Sequence, residues 1–468
     1  MRSRLNTTCT TLHLLLLFCL TASSLRAQWQ AYTPALPDTV GSFDLRIAHG
    51  DDQVAWAVLM KYEVTPTTYA WVAMDSLLFA KTSDGGNTWT GGTIPMGPEP
   101  FASNICPINA NTAWASGIDV DYVSYIMRTD DGGQSWQRQF EDGFATATSY
   151  LNFVHFWDAQ NGVAMGDPAV SDTDTVPFFE IYTTSDGGQN WTRIGSANMP
   201  AALPNEYGTG GNYCVVGDNV WFPTFDYATY EWARVFRSND RGLTWAAFDA
   251  QIGNLSFSDA LHGIGLGAYS NSSYELKYTA DGGTTWTDLP PLSGGLFSSL
   301  VLIPQSHYIL AMLRTNNIAG PFRTMISTDL GQSWMEIGNG TELASNAKFS
   351  SPSIGYAGEW QPADHPTRMY KYTGNPLTGL FSGQTLEAEV NLSPNPATDQ
   401  LRVQIKTAEP AEFTLLLNDV QGRLIDRKTI DKTAQGNIQF DLRSLPPGTF
   451  SLTVSSGKGF LTKKIVKQ

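Results

Sequence analysis

Thr82-Ser-Asp-Gly-Gly-Asn-Thr-Trp89 is the stretch that decides the fold, because five near copies of it follow along the chain. In every copy a glycine stands two residues after the aspartate, and a tryptophan stands five residues after it. The aspartates are Asp84, Asp131, Asp186, Asp240, Asp281 and Asp329, which are 41 to 55 residues apart. A repeat of this length, built from short strands, predicts a β-propeller.

Each copy has the chemistry of a tight turn that leads into a strand. Aspartate followed by glycine favours a hairpin, because glycine tolerates the positive φ that such turns need. The aspartate can accept hydrogen bonds from the backbone N–H groups of its own turn, and the tryptophan can bury a large ring between neighbouring sheets. We therefore interpret the six aspartates as structural rather than catalytic.

The strand pattern predicts seven blades of four strands, A to D, with the repeated turn between C and D. Seven B strands can be recognised, but only six turns carry the motif. The last repeat lacks a D strand, whereas Gln28-Trp-Gln-Ala-Tyr-Thr33 resembles one. We predict an all-β, seven-bladed propeller closed by pairing of its two chain ends. Trp29 should then pack against the strand that holds Tyr370 and Tyr372, as the other tryptophans pack in their own blades.

The octapeptides resemble the Asp-box, or BNR, repeat of sialidases, sortilin-type ectodomains and photosystem II stability-factor-like propellers. In those families the box is structural, which agrees with the interpretation above. Met165-Gly-Asp-Pro168, the box that follows it and the proline-containing segment up to Glu206 are similar to the photosystem II stability-factor-like group.

The two ends of the chain differ from the repeats. Residues 1–27 have a positive start, an apolar centre and a small residue, Ala27, at the cleavage position, which predicts a secretory signal peptide. No later stretch is apolar enough to span a membrane. We predict a propeller over residues 28–373, a linker over 374–390 and a small β-sandwich over 391–468, where short alternating strands are separated by turns.

Residues 391–468 resemble the type A C-terminal sorting domain of the Bacteroidetes type IX secretion system. The similarity rests on Pro394-Asn-Pro396, on the turn from Asp419 to Arg423 and on the ending from Leu445 to Phe450. It implies a first export step to the periplasm, contact of this domain with the secretion machinery, and a secreted or cell-surface protein. A carbohydrate-binding or spacer sandwich is the alternative for this domain.

Charge separates the same two parts of the chain. Residues 28–390 hold 15 Lys and Arg against 37 Asp and Glu, whereas residues 391–468 hold 11 against 7. An acidic propeller does not favour nucleic acid or an anionic membrane as a partner. Cys106 and Cys214 are the cysteines that follow the signal peptide, and they fall in blades that are not neighbours, so two buried thiols are expected.

Long loops predict where a ligand would bind. The B–C and D–A loops of a propeller share the face opposite the boxes, which we call the loop face. The insertions 61–76, 167–180 and 223–232 and the connection 195–212 all fall on it. Because loops on a rigid scaffold carry function, we predict a binding site over blades three and four that extends to blade one.

Two acidic residues stand out in these loops, Asp167 and Glu206. Together with Asp172 and Asp174, these two residues could bind a hard cation such as calcium through oxygen ligands, and no other cofactor is expected. In the alternative interpretation Asp167 only fixes a turn and Glu206 is solvated.

Five aromatic residues of the same loops could form a platform for a glycan or a protein ligand, because flat rings stack on apolar faces. They are Tyr69, Trp71, Tyr227, Tyr230 and Trp232. The alternative is that these rings attach their loops to the blades.

A hydrolase is the alternative function for the whole chain. A sialidase-like enzyme or another glycosidase would use carboxylates on the loop face. Sialidases also need an arginine cluster and mark its first member with Arg-Ile-Pro, whereas this chain has Arg46-Ile-Ala48. The sequence thus favours an exported, non-catalytic propeller for binding or assembly.

Overall fold

The computed structural model describes residues 29–36, 40–64, 69–72, 74–141, 143–144, 149–170, 174–270, 273–304, 306–314, 322–337, 344–359, 366–374, 377, 388–419, 424–456 and 459–468. They form seven antiparallel sheets, the blades of a β-propeller, and a further large sheet near the C-terminus. The predicted all-β, seven-bladed fold is confirmed. The signal peptide predicted over residues 1–27 lies outside the described residues.

The first three blades follow the A-to-D order along the chain. The chain starts with β1 (Trp29–Tyr32), which belongs to the last blade. Blade one contains β2 (Gly41–Ala48), β3 (Asp51–Met60), β6 (Leu77–Thr82) and β7 (Thr90–Ile94), with the hairpin of β4 (Tyr62–Val64) and β5 (Tyr69–Trp71) inserted between β3 and β6. Blade two contains β8 (Phe101–Pro107), β9 (Ala113–Ile118), β10 (Ser124–Thr129) and β11 (Gln137–Gln139), and blade three contains β12 (Leu151–Phe156), β13 (Gly162–Ala169), β14 (Phe178–Thr184) and β15 (Thr192–Arg193).

Blade four is built differently, because two short strands share the A position. After a 3-10 turn at Ser196–Asn198 come β16 (Glu206–Tyr207) and β17 (Cys214–Val216), which both pair with β18 (Asn219–Asp226), followed by β19 (Glu231–Ser238) and β20 (Ala246–Asp249). Part of the predicted 195–212 loop is therefore a strand of the blade.

The last three blades return to the simple order. Blade five contains β21 (Asn254–Phe257), β22 (Gly263–Ser270), β23 (Ser273–Thr279) and β24 (Thr287–Ser293), and blade six contains β25 (Leu296–Leu302), β26 (Ile309–Arg314), β27 (Phe322–Ser327) and β28 (Met335–Glu336). Blade seven contains β29 (Ala344–Ser351), β30 (Ile354–Glu359), β31 (Met369–Tyr372) and, as its outer strand, β1.

The ring closes through its two ends, as predicted. Strand β1 pairs antiparallel with β31, and Trp29 lies opposite Tyr372. The indole of Trp29 is 8% exposed and meets the rings of Phe349 and Tyr372 edge-on, at 6.0 and 5.6 Å between centroids. The same apolar cluster includes Ile326 of blade six, so this ring also joins two blades.

The motif tryptophans pack between neighbouring sheets as well as within their own blades. Trp136 of blade two stacks edge-on against Trp56 and Phe79 of blade one, with centroids 6.3 and 5.9 Å apart. Trp89 of blade one meets Tyr356 of blade seven in the same way. These two rings fill the space between neighbouring sheets, whereas Trp245 and Trp286 meet rings of their own blades, Phe222 and Phe257.

The repeated turns are closed by their own side chains. In the second copy, Asp131 accepts hydrogen bonds from Thr129 Oγ1 at 2.9 Å, Ser135 N at 2.9 Å and Ser135 Oγ at 2.6 Å. The other five copies repeat the bonds from the residues two before and four after the aspartate. The six carboxylates therefore accept hydrogen bonds from their own turns, as expected of a structural role.

Cations connect three blades to the next turn along the ring. Lys81 Nζ lies over Trp56, 4.8 Å from the ring centroid, and donates to Gly132 O at 2.7 Å. Arg128 lies over Trp114 and donates to Gly187 O at 2.8 Å. Arg237 of blade four makes the same kind of contact over Trp221 and with the turn of blade five. We call these contacts the forward latches.

The C-terminal domain is a single sheet whose faces enclose one apolar core. Its strands are β32 (Ala388–Ser393), β33 (Gln400–Asp419), β34 (Leu424–Asp441), β35 (Gly448–Ser456) and β36 (Gly459–Lys467). The long strand β33 pairs with β32 along its first half, with β35 along its second, and with β34 along most of its length. Strand β32 begins within the predicted linker, most of which lies outside the described residues.

Candidate functional site

A pocket of about 340 Å³ opens on the loop face at the centre of the ring. The beginnings of the inner strands β2, β21, β25 and β29 line it, together with residues 209–213 of the connection between blades three and four and with Trp232. Its volume is in the range of small-ligand sites. We call it the channel pocket.

An ion pair fixes one wall of the channel pocket. Arg46 Nε lies 3.0 Å from Asp44 Oδ2, and Asp44 also accepts from Ile105 N at 3.2 Å. Arg46 Nη2 donates to Gly211 O at 2.7 Å, and its guanidinium lies 4.1 Å from the centroid of the Tyr213 ring. Burial disfavours the charge of Arg46, but Asp44 outweighs this and raises its pKa. Arg46 thus clamps the 209–213 segment to blade one, and each of its three nitrogens donates a hydrogen bond.

The hairpin between β18 and β19 carries a chain of aromatic rings. Tyr207 and Phe225 each lie about 6 Å from Tyr227, which lies 5.4 Å from Tyr230. Phe225 also meets Trp232 edge-on at 6.2 Å. Tyr227 and Tyr230 are 58% and 73% exposed, so their faces are accessible. Tyr69 and Trp71 lie on β5, but their side chains are outside the described part of the structure.

Trp232 connects this aromatic hairpin to the channel pocket. Its indole packs on Gly253, where an added Cβ would fall 1.8 Å from a ring atom. It also borders a second cleft of about 360 Å³, which is lined by Arg234, Asp249 and Lys277. Trp232 therefore separates the two pockets.

Exposed apolar side chains are concentrated on the same face. Eight of the ten large exposed apolar residues of the described chain lie in loop-face segments of blades two to four: Val120, Tyr122, Val123, Val170, Val176, Leu203, Tyr227 and Tyr230. Concentrated apolar exposure is typical of interaction surfaces.

Asp167 is buried at the base of this surface. The side chain is 4% exposed, and Oδ1 accepts from Asn152 Nδ2 at 2.7 Å and from Gly208 N at 2.9 Å. Burial raises the pKa of Asp167 to about 7, although these hydrogen bonds favour the charged form. The contact with Gly208 attaches the blade three to four connection to β13, which resembles the predicted turn-fixing role.

Glu206 is buried as well, which corrects the expectation of a solvated side chain. It is 2% exposed, and its carboxylate pairs with Arg234 Nη2 at 2.5 Å and with Arg234 Nε at 2.9 Å. Thr224 Oγ1 and Leu203 N donate to the remaining positions at 2.6 and 2.8 Å. Glu206 thus holds the connection against blade four, and its oxygens have no position left for a ligand.

The predicted calcium site stays a prediction. Asp172 lies outside the described residues, and Asp174 is half-buried. Within the described part of the chain, no group of three or more His, Cys, Asp or Glu side chains is arranged to hold a metal ion. The two cysteines are free thiols, with Cys106 buried and Cys214 half-buried.

The sequence pointed to the loop face but gave no prediction of the pocket at its centre. The channel pocket is lined by inner strands, which in sequence are small-residue runs like those of any blade. The available signals were charges on inner strands: Asp44 and Arg46 on β2, and Lys348 in the segment Ala344-Ser-Asn-Ala-Lys-Phe349. An inner strand faces the channel, so a charge there is unusual.

Comparison with known proteins separates the two parts of the chain. Residues 391–468 match the family described as the secretion system C-terminal sorting domain. This part is similar to a sorting domain. A sorting tail of this kind indicates a secreted or cell-surface protein. No helix among the described residues is long and apolar enough to cross a membrane.

Solved structures are similar to the propeller. One described as YCF48 bound to D1 peptide has 17% identity and a TM-score of 0.50, and the match covers 74% of this chain and 97% of that one. YCF48 from Cyanidioschyzon merolae has 14% identity, a TM-score of 0.47 and coverage of 73% and 98%. A GH74 xyloglucanase from Xanthomonas campestris has 11% identity, a TM-score of 0.45 and coverage of 93% and 75%.

At these identities the first likeness shows the fold alone, and the other two are too distant to carry an argument. No curated protein matches the chain.

Proposed function

We propose that the chain is an exported, non-catalytic binding propeller that a type IX secretion system delivers. Its ligand binds on the loop face, at the aromatic hairpin of blade four and the mouth of the channel pocket. The signal peptide of residues 1–27 takes the chain to the periplasm, and residues 391–468 take it across the outer membrane.

One observation carries the binding proposal: an accessible aromatic surface continues into a polar pocket. The rings from Tyr207 to Trp232 form an unbroken series, and Trp232 is a wall of the channel pocket. Flat rings supply contact area at low entropic cost, and the neighbouring amide and hydroxyl groups supply hydrogen bonds. This combination suits a glycan or a peptide.

The state of the carboxylates supports binding over hydrolysis. A glycosidase needs two carboxyl groups about 5–10 Å apart across an open cleft. Each of the two described pockets is lined by a single carboxylate, Asp44 in one and Asp249 in the other. Asp44 is already paired with Arg46, and Glu206 with Arg234. The glycosidase remains the alternative, and hydrolysis of a defined glycan that Asp44→Asn abolishes would establish it.

Both ligand classes should be tested together. The similar propeller was solved with a peptide bound, which makes a peptide the natural second class beside glycans. The mature propeller should be applied to a glycan array and to an array of short peptides. Failure to bind on either array would contradict the proposal.

Matched variants locate the site. The double variant Tyr227→Ala, Tyr230→Ala removes two exposed rings, and the single variant Gly253→Ala displaces Trp232. Both proteins should bind the ligand at least ten-fold more weakly, since stacked aromatic contacts contribute about 1–3 kcal/mol. Met335→Ala is the control, because it removes a side chain of comparable exposure, 46%, from the outer strand of blade six. Equal affinity of all variants would place the site elsewhere.

The export route has a separate test. A chain that ends at residue 390 should accumulate in the periplasm, whereas the complete chain should reach the cell surface or the medium. Equal distribution of both chains would exclude a sorting role for residues 391–468.

A further inference from the structure

Lys348 is the single cation of the channel pocket that lacks a partner. It lies on β29, and its half-buried side chain lines the pocket. Within the described chain it makes no hydrogen bond or ion pair. The other nearby cations are engaged: Arg46 with Asp44, and Arg234 with Glu206.

The polar neighbours of Lys348 are directed elsewhere. Asn346 Nδ2 donates to Phe43 O at 2.9 Å, and Ser299 Oγ donates to Ala347 O at 3.3 Å. Asn212 Nδ2 donates to Gly253 O. Asp44 is the one carboxylate that lines the pocket, and it attracts Lys348 but is already paired with Arg46, so one positive charge remains without a counterion of its own.

An ammonium without a counterion in the wall of the pocket lowers the stability of the folded protein unless a ligand supplies a negative charge. Lys348 is half-buried, so its ammonium has lost part of its hydration without gaining a counterion, which destabilises the folded state. Burial, with the nearby Arg46 adding to it, lowers the pKa of Lys348 to about 8, although Asp44 and Cys214 act in the opposite direction. An anion in the pocket would compensate this cost, so its binding energy would be large for one contact.

We propose that Lys348 anchors a carboxylate of the ligand that binds on the loop face. The inference rests on the proposed function, because it assigns a chemical class to the ligand of that same site. A single free positive charge matches a single negative charge. A phosphate carries nearly two charges, and it would face an acidic propeller without the arginine fork that phosphate sites usually present.

Two sources offer the same chemistry: a uronic acid of a polysaccharide and the C-terminal carboxylate of a peptide. The experiment has an arm for each. Trigalacturonate is compared with its methyl ester, and a pool of tetrapeptides with free carboxylates is compared with the same pool as amides. Affinities for the mature chain are measured by calorimetry or by competition.

The expected result is a preference for the acidic form in one arm. Wild-type protein should bind it at least ten-fold more tightly than its neutral counterpart, since a charge-assisted bond contributes about 1.5–3 kcal/mol. Lys348→Met should reduce that ratio to about one, and Lys348→Arg should retain a preference. Tyr227→Ala should weaken both forms of the probe and leave their ratio unchanged.

A second measurement does not depend on affinity. Lys348 should react with a limiting amount of an acetylating reagent, and the acidic probe, but not the neutral one, should protect it. Lys348→Met should melt no lower than the wild type. Loss of the preference for the acidic probe in this variant would then not be caused by unfolding.

The outcomes separate the two proposals. Equal binding of acidic and neutral forms in both arms overturns the role of Lys348 and leaves the binding function standing. A preference that survives in Lys348→Met, or the absence of any binding of an acidic probe, also overturns it. Failure of every array ligand and every probe overturns the binding function itself.

Discussion

Replacing Trp29 tests the closure of the ring. Its side chain is 8% exposed, and a tryptophan of this burial removes about 200 Å² from water. At about 25 cal/mol per Å² that is about 5 kcal/mol, and measured Trp→Ala substitutions cost about 3–5 kcal/mol. Trp29→Ala should therefore lower the free energy of unfolding by about 3–5 kcal/mol.

One atom of Trp29 provides a sharper comparison. Among the described residues, its buried Nε1 has no hydrogen-bond partner. An unpartnered buried N–H costs about 1–3 kcal/mol, so Trp29→Phe loses some packing but also loses that penalty. We expect Trp29→Phe to stay within about 1 kcal/mol of the wild type.

Thermal and urea unfolding of the mature chain measure these effects. Trp29→Ala should melt about 3–7 °C below Trp29→Phe. Deletion of residues 28–34 should be worse than either, because it exposes the edge of β31 and favours aggregation. If the deletion melts like the wild type, closure by β1 does not stabilise the ring. If both substitutions are equally harmful, the argument about the indole N–H is wrong.

Three further predictions concern the carboxylates. Burial raises the folded-state pKa of Asp167 to about 7, so the contribution of this side chain to stability is lost as pH rises from about 4 to 7. The melting temperature of Asp167→Asn should therefore depend less on pH over that range. Hydrogen bonds from Ser135 lower the pKa of Asp131 to about 2, so the stability that this carboxylate contributes above about pH 4 is lost as pH falls toward 2. Asp131→Asn should therefore make the melting temperature less sensitive to acid. Glu206→Gln leaves Arg234 buried without its counterion, so it should lower the free energy of unfolding by about 3–5 kcal/mol. It should also speed proteolysis between residues 195 and 213. Unchanged cleavage would show that the pair does not hold this connection.

The repeated turns made the architecture predictable, because each is a local device with its own hydrogen bonds. The pattern tolerates substitution: Arg241 and Leu330 replace the first glycine in two copies and adopt φ values of 61° and 55°. The place of the strand at Trp29 could also be predicted from the sequence. Seven B strands but only six repeated turns were recognised, so the last blade lacked an outer strand that this segment could supply.

The site was less predictable, because its contacts join residues that are distant in sequence. Glu206 was expected in water, but the fold brings Arg234 to it from the neighbouring strand β19. Arg46 meets the 209–213 segment across the ring, at a sequence separation of 165 residues for its hydrogen bond to Gly211 O. Neither partner has a local pattern that reveals the other.

The forward latches give the ring a direction. Lys81, Arg128 and Arg237 each reach from one blade to the turn that follows, so the turn of blade two depends on blade one, and that of blade three on blade two. Loss of Lys81 should therefore increase hydrogen exchange in the turn around Gly132 more than in the turn around Gly85. Because every latch joins only two neighbouring blades, the loss of one should loosen a single junction and leave the other junctions of the ring closed.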